Sequence, residues 1–354
     1  MPPRPRRKSL LKPQLTAAEV GNSPVAGRKV TFTENLRELG LFIFIIALGF
    51  AIQMRNPAFL RVSNIVSLLT NTSILGILAV GMMLVLLTRG IDLSIGSTIA
   101  FSGMVTALTV ARYPGMPALL AVAQGAAIGV VIGMVIGVLV ARFDVLPIIA
   151  TLGMMNIVRG LTYVVSGGRW VSAYQMPDSF KALATGRTLG INNLIVVAIV
   201  VYLVATYFMN HTRTGRRIYA VGSNPDAAEV SGIPKRRLVF LVYTIMGGLA
   251  GLSGVLWVAR FASAQGDTAV GYELQVIAAC ILGGVSILGG VGKISGLLLG
   301  TILFGILANA LPLIDVSPFW QMGIQGVTVL VAVMTNAMVI RNTERSALRR
   351  RATM

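Results

Sequence analysis

Few residues in this 354-residue chain are placed for covalent or nucleotide chemistry. Lys293 lies in GGVGKIS, a glycine-rich run of the sort that cradles phosphate. The phosphate-loop pattern fails there: position 287 is isoleucine where the first glycine is required, and Ile294 stands where Ser or Thr must be. No ATP or magnesium site is therefore expected in this chain. The lone histidine, His211, sits among arginines at the end of an apolar run, with no sequence partner for metal or nucleophilic chemistry. Cys280 is the single cysteine; it can make no internal disulfide and reads as a small packing residue. No catalytic residue, metal site or bound cofactor is expected. The shortage of His, Asp and Glu clusters counts against an enzyme.

Two charged groups stand out because their surroundings are apolar. Asp92 in TRGIDLSIGS (88–97) lies beside Ser94 and Ser97, at a break flanked by Gly90 and Gly96. Asp92 or Ser94 can cap the following helix. The break can also line a path, since irregular backbone at membrane depth is tolerated where it borders a cavity. Arg159 lies well inside an apolar stretch, three residues after Asn156 on the same helical face. Such a group either faces the protein interior or snorkels to the membrane edge.

The elements that must position these groups are membrane helices. The chain is 55% hydrophobic and 12% charged, against about 25% charged in soluble domains. Apolar stretches fall at 38–54, 69–88, 94–111, 117–141, 146–166, 192–209, 238–259, 274–290, 294–313 and 320–340. Most have the ~20 residues needed to cross about 30 Å of hydrocarbon. The expected fold is thus all-α and polytopic, with about ten transmembrane helices. Gly129, Gly133 and Gly137 repeat every fourth residue and give one helix a smooth face for close packing. The glycine-rich turns at 90–96 and 289–296 hint at an internal duplication.

Residues 1–37 read as a flexible basic cytoplasmic tail without the apolar core of a secretory signal, 38–340 as the membrane domain, and 341–354 as a second basic tail. Placing both termini in the cytoplasm puts 22 Lys and Arg inside and seven outside, a bias that fixes the expected orientation. For a membrane chain this distribution matters more than the net charge of +18 itself. No basic patch is interleaved with aromatics, and nucleic acid is not an expected partner. The outer loop 167–191 carries Trp170, Tyr174 and Phe180, suited to an interface or a docking surface.

Loop 210–237, on the basic side, specifies a short helix with its own caps. Asn224 is a good N-cap, and Pro225 suits the first helical position, where its missing N–H loses nothing. Asp226 and Glu229 bring negative charge to the positive end of the helix dipole. Gly232 suits the left-handed residue after the end, and Pro234 blocks continuation. A connector needs no such device, whereas a docking element does.

With these residues in view, the chain resembles the permeases of bacterial ribose-, xylose-, rhamnose- and autoinducer-2-type sugar importers. The resemblance rests on GRRIYAVGSNPDAAEVSGIP, TRGIDLSIGS and IAACILGGVSILGGVGKISG (277–296), which follow in the family's order and spacing. It implies a multi-pass inner-membrane subunit of an ABC importer. It implies partners too: an ATPase subunit that uses ATP and magnesium, a periplasmic or lipid-anchored sugar-binding protein, and a second copy or sister permease, all within membrane lipid. It implies that 222–234 is the coupling helix that enters a cleft on the ATPase, with Gly222, Asn224, Pro225, Asp226, Ala227, Ala228, Glu229 and Gly232 as coupling residues. Neutral sugars are bound by directed hydrogen bonds and aromatic stacking. Asn71, Thr72, Ser73, Asp92, Ser94, Asn156, Arg159, Trp257 and Gln275 are therefore candidates for the translocation path; the polar ones serve equally as helix-to-helix hydrogen bonds. The rival reading is an ion-coupled secondary sugar transporter, which calls for intramembrane acids; here Glu273 comes nearest.

Overall fold

The computed structural model describes residues 27–317 and scattered positions from 320 to 334. Among them are twelve α-helices, in chain order α1 (Gly27–Arg55), α2 (Val62–Leu87), α3 (Ile95–Arg112), α4 (Ala118–Ala141), α5 (Pro147–Ser166), α6 (Asp178–Thr185), α7 (Asn193–His211), α8 (Arg213–Ser223), α9 (Pro225–Val230), α10 (Lys235–Phe261), α11 (Tyr272–Leu282) and α12 (Ile294–Leu313). Eight are long and apolar enough to cross a membrane. α1 begins at Gly27, inside the stretch expected to be a tail. The expected tenth span, 320–340, and the tail 341–354 fall largely or wholly outside the described residues.

One expected span is not a continuous membrane-long helix. The apolar run 274–290 reads long enough to cross, but α11 stops after eleven residues, about 16 Å at 1.5 Å per residue. The reason is the Gly283–Gly284 pair. Gly284 turns left-handed at φ 89°, and its N–H donates to Ile281 O at 2.9 Å. Gly283 and Gly300 let the end of α11 lie directly on α12, where a Cβ at Gly300 would strike Ala279 O. Non-helical backbone follows to Lys293 and ends at the same face as the basic loop.

The core sits around α10 and α2, the latter buried from Ser73 to Leu87. Along α4, Gly125, Gly129, Gly133 and Gly137 face α10, where Gly247 and Gly251 face back; added Cβ atoms would meet α10 main chain or the side chain of Val255. In lipid the hydrophobic effect does not hold helices together, so such close backbone approach and its dispersion contacts do. α1 is the opposite case: its span is mostly exposed, and it leans on α12 through a small cluster in which Ile52 meets Ile306 and Ala310.

Two faces are identifiable. On one lie α8, α9, the α2–α3 break, the 283–293 loop and the start of α1's span, where Glu38 is 3.8 Å from Lys293 and Arg37 donates to Ile281 O at 3.3 Å. On the other, Asn56 donates to Leu313 O at 2.6 Å and Val171 pairs with Ala264. There α6 and a two-residue hairpin (Arg187–Thr188 with Ile191–Asn192) cover the end of the bundle. Trp170 and Tyr174 are exposed as expected, but Phe180 is buried, because α6 presents it inward with Ala184. Lys181 donates to Asp178 at 2.7 Å, holding that carboxyl below the ordinary carboxylate range.

Candidate functional site

The capped helix forms where the sequence marks it. Asn224 is extended (φ −150°, ψ 98°), and its side chain accepts the Ala227 N–H at 3.1 Å. Pro225 opens α9 and Asp226 stands in its first turn. Gly232 has φ 77°, its N–H donates to Glu229 O at 2.9 Å, and Ile233 N–H donates to Ala228 O at 2.9 Å, so the orphaned carbonyls are satisfied. Asp226, Ala227, Glu229 and Val230 face outward, with Val230 91% exposed. Ala228 does not share that surface: it is buried, the one residue of this short helix that anchors it to the bundle. Gly222 is likewise internal, in the last turn of α8, a helix for which the loop's composition gave no separate sign.

Between α2, α10, α11 and α12 a cavity of about 200 Å³ opens. Four of the path candidates line it: Asn71, Thr72, Trp257 and Gln275. Sequence reasoning missed Arg260, Tyr272, Phe304 and Asn309 in the same wall. Trp257 stands edge-on to Tyr272 at 5.0 Å between centroids and tilted against Phe261 at 5.1 Å. Arg260 Nη2 donates to Asn71 Oδ1 at 3.3 Å, while Arg260 Nε is buried without a hydrogen-bond partner. Asn309 and Asn64 exchange amide hydrogen bonds at 3.1 and 3.0 Å behind the wall. Aromatic faces, amide groups and a guanidinium together can bind a molecule that offers apolar C–H faces and many hydroxyls. None of the residues lining this cavity carries a carboxylate.

The remaining candidates lie elsewhere. Ser73 is buried and donates to Leu69 O at 2.7 Å, on the side of α2 that faces α7. Asp92 is buried and accepts from Ser94 N–H at 2.8 Å and Ser94 Oγ at 2.6 Å, so it closes the turn before α3; the expected side-chain cap does not form, since neither the Asp92 nor the Ser94 side chain accepts an N–H of the first turn of α3. Ser94 O in turn accepts from Ser97 Oγ at 2.8 Å and Thr98 Oγ1 at 2.9 Å. Asn156 is exposed on α5 and bonds its own Leu152 O at 2.9 Å. Arg159 faces inward, donating to Gly266 O and Thr268 O at 2.8 Å each, and so fixes the loop between α10 and α11.

A family profile described as branched-chain amino acid transport system / permease component matches residues 64–333. The chain belongs to this family of multi-pass inner-membrane permeases. It is 41% identical over 314 residues to the ribose import permease protein RbsC of Escherichia coli (strain K12), covering 88% of this chain and 97% of RbsC. The RbsC of Bacillus subtilis (strain 168) is 36% identical over 307 residues, 87% of this chain and 95% of that one. The L-arabinose ABC transporter permease protein AraH of Azospirillum brasilense is 36% identical over 295 residues, 83% of this chain and 86% of its own. No solved structure matches this chain. The family implied by the three motifs and that of these relatives coincide, and the chain's role is transport.

Proposed function

We propose that this chain is the translocation subunit of an ATP-driven importer that carries a pentose or similar monosaccharide. The observation that carries this reading is the cavity, with Trp257 and Tyr272 as aromatic surfaces and Asn71, Gln275 and Arg260 as polar partners. The sugar permeases RbsC and AraH among its relatives support a pentose as the first ligand to test. ATP and magnesium act on a separate ATPase subunit that seats α9 in a cleft. A sugar-binding protein delivers from the opposite face, and a second copy or sister permease completes the pathway. An ion-coupled mechanism asks for a carboxylate in the transport cavity; Asp92 is instead occupied by Ser94, and Glu273, although between Tyr272 and Gln275 in sequence, is not among the lining residues.

The deciding experiment is to reconstitute the chain in vesicles with its co-expressed ATPase and binding protein, and to offer D-ribose, L-arabinose, D-xylose, L-rhamnose and L-leucine. A sugar, and not leucine, should stimulate ATP hydrolysis. Stimulation by leucine alone would overturn the sugar assignment. Trp257→Ala should lower uptake of the active sugar by at least about fivefold, because a stacking face contributes on the order of 1 kcal/mol beyond its area. Association with the ATPase should be unchanged, since Trp257 lies far along α10 from α9. Parent-like uptake would remove the cavity from the path.

We further propose that both termini and loop 210–237 are cytoplasmic, on the strength of the 22-to-7 basic bias. Ser179 and Ser223 are both exposed on opposite faces, and Cys280 is buried. In a Cys280→Ala background, an impermeant thiol reagent should label Ser179→Cys in intact spheroplasts and spare Ser223→Cys. The reverse pattern, or equal labelling, would reject the orientation.

A further inference from the structure

The break between α2 and α3 holds an arginine in an uncommon backbone state. Arg89 has φ 65°, a left-handed conformation that a Cβ disfavours. That conformation accompanies a guanidinium which donates from Nε to Gly222 O at 2.7 Å and from Nη2 to Ser223 O at 3.0 Å. These carbonyls close α8, where a helix leaves its last acceptors unpaired and where positive charge is favoured. Asn224, the cap of α9, is the next residue. At the same spot Gly290 N–H donates to Leu87 O at 3.0 Å, and Tyr219 Oη donates to Gly292 O at 2.8 Å. A Cβ at Gly222 would strike both Leu87 O and Gly290 N. The three sequence motifs, distant in the chain, are thus joined by main-chain contact and by side-chain donors that reach main-chain carbonyls.

Two rigid elements lead from this junction to the cavity. The 283–293 loop continues back into α11, whose other end carries Tyr272 and Gln275 in the cavity wall. Ile91 O accepts from Tyr243 and Thr151, both at 3.3 Å, which ties the break to α10, the helix of Trp257, and to α5. We propose that Arg89 is the positioning residue of the transport cycle, latching the α8–α9 segment to the α2–α3 break and the 283–293 loop so that displacement of α9 reaches the cavity through α11. The inference rests on α9 being the element that docks the ATPase. Two donors in a fixed fork suit the task, because they hold two successive carbonyls in one orientation.

The test uses the complete transporter in vesicles, with D-ribose and the binding protein as stimulus. Arg89→Gln should keep ATPase co-purification and basal hydrolysis within about twofold of the unmodified complex. Stimulated hydrolysis and uptake should fall at least about tenfold, the scale of ordinary coupling between sites. Arg89→Lys should recover part of the stimulation, since an ammonium still donates to the carbonyls. Full stimulation in Arg89→Gln would overturn the relay; so would joint loss of docking, which would make Arg89 part of the docking surface only. Hydrogen exchange on the unmodified complex decides even if the variant assembles poorly. With a trapped ATP analogue, the Gly290 amide should stay protected while exchange across 266–275 changes. A Gly290 amide that opens, or an unaltered 266–275, would reject the relay. An unmodified complex that retains no ATPase would instead fault the role given to α9.

Discussion

Gly129→Leu should abolish accumulation of the permease in the membrane, whereas Gly160→Leu should leave it at the parent level. A Cβ at Gly129 would collide with Gly247 O and crowd the Gly251 backbone, whereas Gly160 has open space. The obstacle at Gly129 is main chain of a buried helix, which has no alternative rotamer to adopt. Separating α4 from α10 to admit the side chain would open the whole seam from Gly125 to Gly137. Overpacking a core typically costs about 1–3 kcal/mol when side chains can yield; here only backbone is available to yield. In lipid no hydrophobic term compensates for the lost packing, because tails are as apolar as the helices. Immunoblotting of membranes and size-exclusion profiles in detergent give the comparison. Equal yields of the two variants would show that the seam is not what holds these helices.

Glu229→Lys should eliminate co-purification of the ATPase and sugar uptake while leaving membrane levels unchanged. Glu229 is exposed on α9 and pairs with no cation among the described residues. With Asp226 it makes α9 an acidic point on a face otherwise rich in arginine and lysine. A partner that docks there meets it with basic groups or water, and a lysine would set like charges together, at a cost of several kcal/mol. Gly232→Val tests the same element through the backbone. Gly232 has open space around it but φ 77°, so valine adds conformational strain of about 1–3 kcal/mol without a clash. It should weaken stimulated hydrolysis while retaining part of the docking. Normal ATPase recruitment and uptake in both variants would reduce α9 to an ordinary connector.

The parts of this molecule legible in the sequence are those fixed by neighbours in the chain. Asn224, Pro225 and Gly232 each act through local backbone chemistry, and α9 appears between them as their order demands. Most spans are legible for the same reason, since length and hydropathy are local. α11 misleads because the run 274–290 stays apolar through its Gly–Gly turn, and hydropathy alone does not register a reversal of direction. The cavity was half legible. Asn71, Thr72, Trp257 and Gln275 are polar or aromatic residues in or beside apolar runs, a signal in itself. Arg260 is one of the seven basic residues counted on the outer side, and Phe304 and Tyr272 are aromatics in or beside apolar runs with nothing in their spacing to single them out. Only the crossing of α2, α10, α11 and α12 brings them to one wall. Spacing offered one usable hint: Arg260 follows Trp257 by three residues and shares its helical face.

The cavity wall also bears on the electrical integrity of the cell. A carrier large enough for a sugar must not let protons or sodium ions run inward as it opens, down a potential worth about 2.3 kcal/mol per charge for each 100 mV. Arg260 supplies the only full charge among the lining residues, and it is positive. A cation in transit would lose its hydration beside a guanidinium and find no carboxylate to replace it, whereas a neutral polyol would meet donors and aromatic faces. On the proposed reading, the residues that hold the cargo also repel cations, and a carboxylate placed in that wall is expected to raise cation leak through the transporter.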